Sequence, residues 1–468
     1  INGALCLVTR IDHDRILKKI LNVIDATLRT NAFTKEGLEE NIISFKIESR
    51  KVDGIPMPAP LYEIFVYSKD MEGCHLRGGK VARGGIRWSD RIEDYRYEIL
   101  GLMKAQMVKN SVIVPVGSKG GFVVKNYKKL LEEGADSKDL KELVESSYKS
   151  FIKQLLVLTD NIKDGVIVPA ANIVKLDSED PYLVVAADKG TATFSDLANE
   201  ISIKRDFWLG DAFASGGSKG YDHKKMAITA RGAWIAVRRH FFEMGIDCQK
   251  QNITVVGVGD MAGDVFGNGM LQSKSVLLVA AFNHQHIFID PNPDALKTYE
   301  ERLRLFQKPH STWKDFDAGL ISKGGGIFGR DEKHILISDE MAKRFDIAES
   351  SLTPDELIKR ILKSSVDLLW FGGIGTFIKA SFESSAEVSD KANDSLRVDG
   401  NQINARVIGE GANLGVTQQG RVEYAEKGGR INTDAIDNSA GVDCSDHEVN
   451  IKIFFQTLLE KKVITHDE

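Results

Sequence analysis

Val255-Val256-Gly257-Val258-Gly259-Asp260-Met261-Ala262-Gly263 decides the fold. Residues 253–258 are a short apolar run of strand type, and the run enters a glycine turn. Glycine lets the backbone approach a ligand closely or take positive φ. A helix expected over Asp260–Leu271 would offer free N–H groups and a dipole that favours anions. In that strand–turn–helix context, Gly257-x-Gly259-x-x-Ala262-Gly263 reads as a dinucleotide-binding turn. The next apolar strand, Val276–Phe282, ends at Phe282-Asn283-His284. An asparagine therefore stands where an acid would grip the adenosine ribose, and Asp290 lies further along. No arginine or lysine follows Phe282 directly to hold a 2′-phosphate, which favours NAD. Working outward, strands at 365–371 and 405–409 and a helix over 222–244 alternate with these elements. Such alternation predicts an α/β fold with a parallel sheet and helices on both faces.

Upstream, the pattern changes. A helical period covers residues 14–30, strand-like runs cover 42–47 and 61–67, and helices are expected over 91–109 and 137–158, with a strand at 165–169. Between them, Val81-Ala82-Arg83-Gly84-Gly85-Ile86-Arg87, Lys109-Asn110-Ser111 and Gly117-Ser118-Lys119-Gly120-Gly121 place cations beside glycines. We read these as three tight turns, with strands at 111–116 and 122–124 flanking Lys119. A lysine in such a place can meet a small anion or lose its proton through desolvation. Asp188 follows the apolar run 184–187 and suits an acid/base role as well as a turn. Lys109 ends a helix, where the dipole alone would explain it. The polar stretch 383–401 reads as a surface loop or linker.

Composition bounds the rest. With 42% hydrophobic and 28% charged residues and a net charge of −5, the chain is an ordinary globular protein with no field for nucleic acid. No apolar run is long enough to span a bilayer. Four scattered cysteines have no metal or redox spacing, which favours reduced thiols in the cytoplasm. His284 and His286 lack a third ligand, so no metal is expected, and no loop has NTPase spacing. A chain opening at Ile1 in a near-immediate helix is expected to be a piece of a longer polypeptide.

These motifs carry a resemblance over nearly the whole chain. Gly78 to Asp90, Gln106-Met107-Val108-Lys109-Asn110, Ser118-Lys119-Gly120-Gly121, Ala186-Ala187-Asp188-Lys189-Gly190-Thr191 and Glu410-Gly411-Ala412-Asn413 fall in one family's order. The chain resembles the glutamate/leucine/phenylalanine/valine dehydrogenases, and within them the large multidomain NAD-dependent glutamate dehydrogenases of bacteria. The resemblance implies Lys119 as catalytic lysine, Asp188 as proton shuttle and Lys109 as holder of the α-carboxylate. It implies Arg83, with Gly84 and Gly85, and Ser445 at the substrate's distal carboxylate. On the NAD side it implies Gly257, Gly259, Asp260, Met261, Asn283 and Gly373, with Thr229 at the nicotinamide and Asn413 near its ribose. Phe371 and Asn283 depart from the pattern, where asparagine and aspartate are expected.

The implied architecture is two α/β domains with a cleft between them. A helical segment over 1–33 precedes a substrate domain over 34–205. A Rossmann-like NAD domain spans 206–430, and 431–468 returns to the substrate domain. The implied reaction takes L-glutamate to 2-oxoglutarate and ammonium in a homo-oligomer. Its rivals are a dehydrogenase of another amino acid and a non-catalytic nucleotide-sensing module.

Overall fold

The computed structural model describes residues 5–34, 41–109, 114–188, 190–191, 193–373, 375–388 and 390–465, without the side chains of 105, 108, 109, 223 and 224. It divides into two compact units, Ile1–Asp222 with Asp443–Glu468, and His223–Val442. The divisions fall at 222/223 and 442/443, later than the 205/206 and 430/431 expected from sequence. The Gly/Ser-rich loop 214–220 groups with the first unit.

The first unit is built on eight strands: β1 Thr27–Thr30, β2 Ile43–Glu48, β3 Tyr62–Tyr67, β4 Met71–Arg77, β5 Ala82–Trp88, β6 Val116–Val124, β7 Val174–Lys175 and β8 Val184–Ala187. Their order is β8-β5-β6-β4-β3-β2-β1-β7. Only the β8–β5 and β5–β6 pairs are parallel. The amphipathic helix α1, Ile11–Ala26, precedes the sheet. Helix α2, Tyr95–Lys109, covers one face through Tyr95, Ile99 and Met103 against Cys74, Leu76 and Val123. Helix α3, Ser137–Val157, covers the other through Tyr148, Phe151 and Leu155 against Ile64, Val66 and Phe122.

Two sequence readings are corrected here. The expected strands around a Lys119 turn are one strand, β6, with Lys119 in its interior, and the reading from Ser111 falls partly on 110–113, outside the described residues. The stretch through Arg83, Gly84 and Gly85 is likewise a strand, β5. The glycines serve close packing. A Cβ on Gly84 would lie 1.7 Å from the Ser118 carbonyl oxygen. The residues expected as a strand at 165–169 form half of a small hairpin, 161–163 with 166–168.

A buried ion network ties β1, β2 and β4 to the segment before β8. Arg29 holds Asp160 with two 3.0 Å bonds and Asp177 at 2.5 Å. Lys46 pairs with Asp177 and lies 2.8 Å from Asp180, which also takes Arg77 at 3.0 Å. Burial alone would raise the Asp160 pKa, but bonds from Arg29, from two backbone N–H groups and from Lys175 bring it down to about 2. A depressed carboxylate stabilises the fold above its unfolded pKa and loses that contribution as pH falls through the folded value. The gap between wild type and Asp160→Asn in urea-unfolding free energy should therefore shrink by about 2 kcal/mol between about pH 5 and pH 2. A gap independent of pH would show that Asp160 is not held as an ion.

The second unit continues with β9 Ile253–Val258, β10 Val276–Phe282, β11 His286–Ile289, β12 Gly326–Gly329, β13 Leu368–Phe371 and β14 Val407–Glu410. Their order is β12-β11-β10-β9-β13-β14. The four strands β10, β9, β13 and β14 are parallel. The sheet is mixed, not wholly parallel, because β11 turns back on β10 and β12 on β11. Helix α4, Ile228–Glu243, packs Trp234, Val237 and Phe241 on one face. The expected 222–244 helix is broken at Ala227, whose φ is 55°. Helix α5 begins at Asp264, not Asp260, since Asp260–Gly263 forms a turn closed by the Gly263 N–H. Within the expected surface loop or linker 383–401, Leu396 and Val398 are buried, and Arg397 donates to the Thr376 and Asp390 carbonyls.

Candidate active site

In the first unit the strand pairing β8-β5-β6 assembles a charged cluster. Ala187 pairs with Ile86, and Arg87 with Gly121. Asp188, one residue past β8, thus comes beside Arg87, and Lys119 projects on the same face as Gly121, two residues on. The Lys119 ammonium meets Asp188 Oδ2 at 2.6 Å. Arg87 Nε donates to the same oxygen at 2.9 Å, and Arg87 Nη1 donates to Glu98 on α2 at 2.8 Å. Ser89 Oγ also donates to Glu98, at 2.6 Å.

The glycines flanking Lys119 bury it. A Cβ on Gly117 would meet Gln106 backbone at 2.3 Å, and one on Gly121 would meet Ile99 at 2.3 Å. Helix α2 can therefore lie directly over Lys119, which is 5% exposed. Gly85 leaves room for Asp188, whose Cβ would be 3.2 Å from a Cβ there. Burial pulls the Lys119 pKa below the ordinary lysine value. Asp188 opposes that fall and Arg87 adds to it. Burial would raise Asp188, yet Lys119 and Arg87 hold its carboxyl far below the usual range. The cluster is an ionised carboxylate under two cations, one of which gives up its proton more readily than a free lysine.

Arg87 and Glu98 were not singled out in the sequence. Arg87→Gln removes a cation that depresses Lys119, so the Lys119 pKa should rise. The acid limb of kcat/KM, on which the neutral amine of Lys119 forms, should move to higher pH, and Arg87→Lys should restore it. An unmoved limb would separate Arg87 from the titration of Lys119.

Arg83 is placed otherwise than expected. Its Nε donates to Tyr182 Oη at 2.5 Å, Nη1 to the Asp446 carbonyl at 2.7 Å and Nη2 to Asn450 Oδ1 at 2.6 Å. Asp446 and Asn450 lie on α6, Ser439–Glu460. A buried guanidinium so engaged fastens that helix. Ser445, on the same helix, donates to Ser215 Oγ at 2.6 Å. Lys452 and Glu448 add bonds to Asp211 and to the Gly216 N–H. Lys109 closes α2, and its side chain lies outside those described.

In the second unit, a cavity of about 180 Å³ opens where β9, β10 and β13 end. It is lined by Gly259, Asp260, Asn283 and Gly373, together with Val258, Phe282, His284, Arg330, Phe377 and Asn393. A crevice at the carboxyl ends of parallel strands is where doubly wound sheets bind ligands. Gly259 has φ +138°, and a Cβ there would press on Phe266 at 2.7 Å. Its carbonyl accepts the Trp313 Nε1–H at 3.0 Å. Gly257 sits under the same Phe266 ring, 2.5 Å from it if given a Cβ, and Met261 is buried. This glycine cradle fits a dinucleotide's approach.

Thr229 on α4 and Asn413 beyond β14 do not line the cavity. Phe371 is wholly buried and stacks on Phe377 at 6.1 Å, so the departure there is a core residue. Asp290 is also buried, accepting from the Ser322 N–H at 3.1 Å away from the cavity. Among the described residues no group of three or more His, Cys, Asp or Glu side chains could hold a metal, and no helix is long and apolar enough to cross a membrane.

A Rossmann-like unit and a sheet bearing a buried lysine–aspartate pair define a two-unit α/β protein of dehydrogenase architecture. The family described as bacterial NAD-glutamate dehydrogenase, catalytic domain, matches residues 1–468, and the chain belongs to it. The chain is similar to the NAD-specific glutamate dehydrogenase of Pseudomonas aeruginosa, 59% identical over 468 residues, covering 100% of this chain and 29% of that protein. It is 55% identical over 470 residues to the Mycobacterium tuberculosis protein of the same description, covering 98% and 29%. It thus spans under a third of the length of these relatives. In fold it is similar to Plasmodium falciparum glutamate dehydrogenase, with a TM-score of 0.52 at 13% identity over 91% of this chain and 72% of that one.

Proposed function

We propose that the chain oxidatively deaminates L-glutamate to 2-oxoglutarate and ammonium, with NAD as acceptor. The observation that carries this is the buried Lys119–Asp188 contact of 2.6 Å under Arg87, in a chain of this family. The first unit takes the substrate and the second the cofactor. NAD, when bound, supplies the acceptor for the hydride from Cα. Gly259 and Gly373, on the cavity lining, meet its pyrophosphate, with Gly257 letting Phe266 pack beneath the turn, Asp260, Met261 and Asn283 at the adenosine side and Thr229 and Asn413 toward the nicotinamide.

Lys119, its pKa lowered by burial, accepts a proton from the water that attacks the substrate's imine carbon. Asp188 stays ionised, steadies the ammonium so formed and relays protons. Lys109 holds the α-carboxylate. Ser445, whose single hydroxyl proton turns from Ser215 to the substrate, donates to the distal carboxylate, and Arg83 keeps the Ser445 helix in place. A cytoplasmic homo-oligomer belongs to the same proposal. Buried Cys74 and Cys248 are thiols, which suits a reducing compartment, and the exposed Ile16, Ile20 and Ile24 of α1 suit an assembly face.

The test is absorbance at 340 nm when the chain meets NAD and L-glutamate, run beside NADP and a panel of amino acids. Turnover of an apolar amino acid in preference to glutamate would favour the rival substrate reading. Folded protein that binds NADH but turns over nothing would favour the sensing module.

A further inference from the structure

The second strand of the nucleotide unit ends in an amide, Asn283, yet a carboxylate stands at that position in space. Asn283 Nδ2 donates to Asp260 Oδ2 at 3.0 Å, and Asn283 Oδ1 is fixed by the N–H groups of Gln285 and His286 at 2.8 Å each. Asp260 Oδ1 accepts the Gly263 N–H at 3.1 Å. The carboxylate is therefore tethered at both oxygens on the lining of the cavity, beside Gly259 and Gly373. Each oxygen spends one lone-pair direction on its tether and keeps acceptor capacity.

Arg330 lines the same cavity. Its Nη1 reaches the Asn283 carbonyl at 3.4 Å, its Nη2 reaches Asp355 at 3.3 Å, and its buried Nε–H has no partner among the described residues. Its bond to half-exposed Asp355 is long, and rim pairs of this kind contribute little.

We propose that Asp260, moved from the strand end to the glycine turn and oriented by Asn283, accepts from the adenosine ribose hydroxyls. In this role it sets the preference for a 2′-hydroxyl over a 2′-phosphate, against the latent phosphate cation Arg330. The proposal rests on the dinucleotide reading of this cavity. A carboxylate rewards a diol's donors and repels a phosphate dianion, and a guanidinium does the reverse. The two opposed side chains hold the balance, with Asp260 dominant because its tethers, at 3.0 and 3.1 Å, are shorter than those of Arg330 at 3.3 and 3.4 Å.

The probes are 5′-AMP and 2′,5′-ADP, which differ only in the 2′-phosphate, titrated calorimetrically on the whole chain so that no turnover is needed. Wild type should bind 5′-AMP more tightly. Asp260→Ser should shift the affinity ratio toward 2′,5′-ADP by about 10-fold or more, as expected for losing one charged contact. Adding Arg330→Met to that variant should return most of the shift. Arg330→Met alone, on the cavity rim, should weaken 2′,5′-ADP several-fold more than 5′-AMP, which keeps the test open if Asp260→Ser does not fold. A ratio unmoved by both variants overturns the proposal. Wild type that binds neither NADH nor 5′-AMP overturns the dinucleotide reading instead.

Discussion

Lys119→Ala should lower kcat for glutamate oxidation by about 10²–10⁴-fold, the range for loss of one acid/base group. NADH binding and the far-UV spectrum should stay close to wild type. The amine is buried between β6 and α2 and meets Asp188 at 2.6 Å. Burial makes it a weaker acid-holder than a free lysine, and Asp188 keeps the proton nearby once taken. Removing the amine leaves Asp188 still paired with Arg87 at 2.9 Å, so the cluster keeps one cation and the strand its register. The cofactor cavity belongs to the other unit and should be untouched. Asp188→Asn should also cut kcat, without the upward shift of the acid limb expected for Arg87→Gln. Removing the anion takes away what supports the Lys119 proton, so any residual limb moves to lower pH. Folded Lys119→Ala with turnover within a few-fold of wild type would remove Lys119 from the chemistry.

The nucleotide unit was legible because its signals are local. The apolar runs at 253–258 and 276–282 are the strands β9 and β10 residue for residue. The glycine turn follows where the strand ends. The charged cluster was legible only as residue types. Gly117, Gly120 and Gly121 read as turn formers because glycine signals either a left-handed turn or a close approach, and the sequence does not say which. None of them has positive φ. They sit in a strand pressed by α2. Arg87 escaped notice because its meeting with Asp188, 101 residues on, depends on the β8-β5 pairing, and Glu98 because its bond to Arg87 depends on how α2 returns over β5. The polar stretch 383–401 reads as a surface loop or linker for the opposite reason. Its polar residues bond to backbone, as Arg397 does, and composition cannot distinguish that from solvation.

Arg83→Met should destabilise the first unit by about 3–5 kcal/mol, the usual effect of removing one member of a buried charged network. For a unit of this size that is on the order of ten degrees in Tm. The family resemblance implies another outcome, a selective loss of glutamate with apolar amino acids spared, because it puts Arg83 at the distal carboxylate. The structure places three of its donors on Tyr182, the Asp446 carbonyl and Asn450. Asp446 itself is buried, with its carboxylate 3.7 Å away. Methionine keeps the apolar stem and removes every one of these bonds, so the helix that carries Ser445 loosens. Assayed well below its lowered Tm, the variant should lose kcat/KM for glutamate and for norvaline by similar factors, chiefly through KM. Arg83→Lys should recover little, since one ammonium cannot span Tyr182 and Asn450 together. A variant with unchanged Tm that loses glutamate alone would return Arg83 to the distal carboxylate and leave α6 to be held by Lys452 and Glu448.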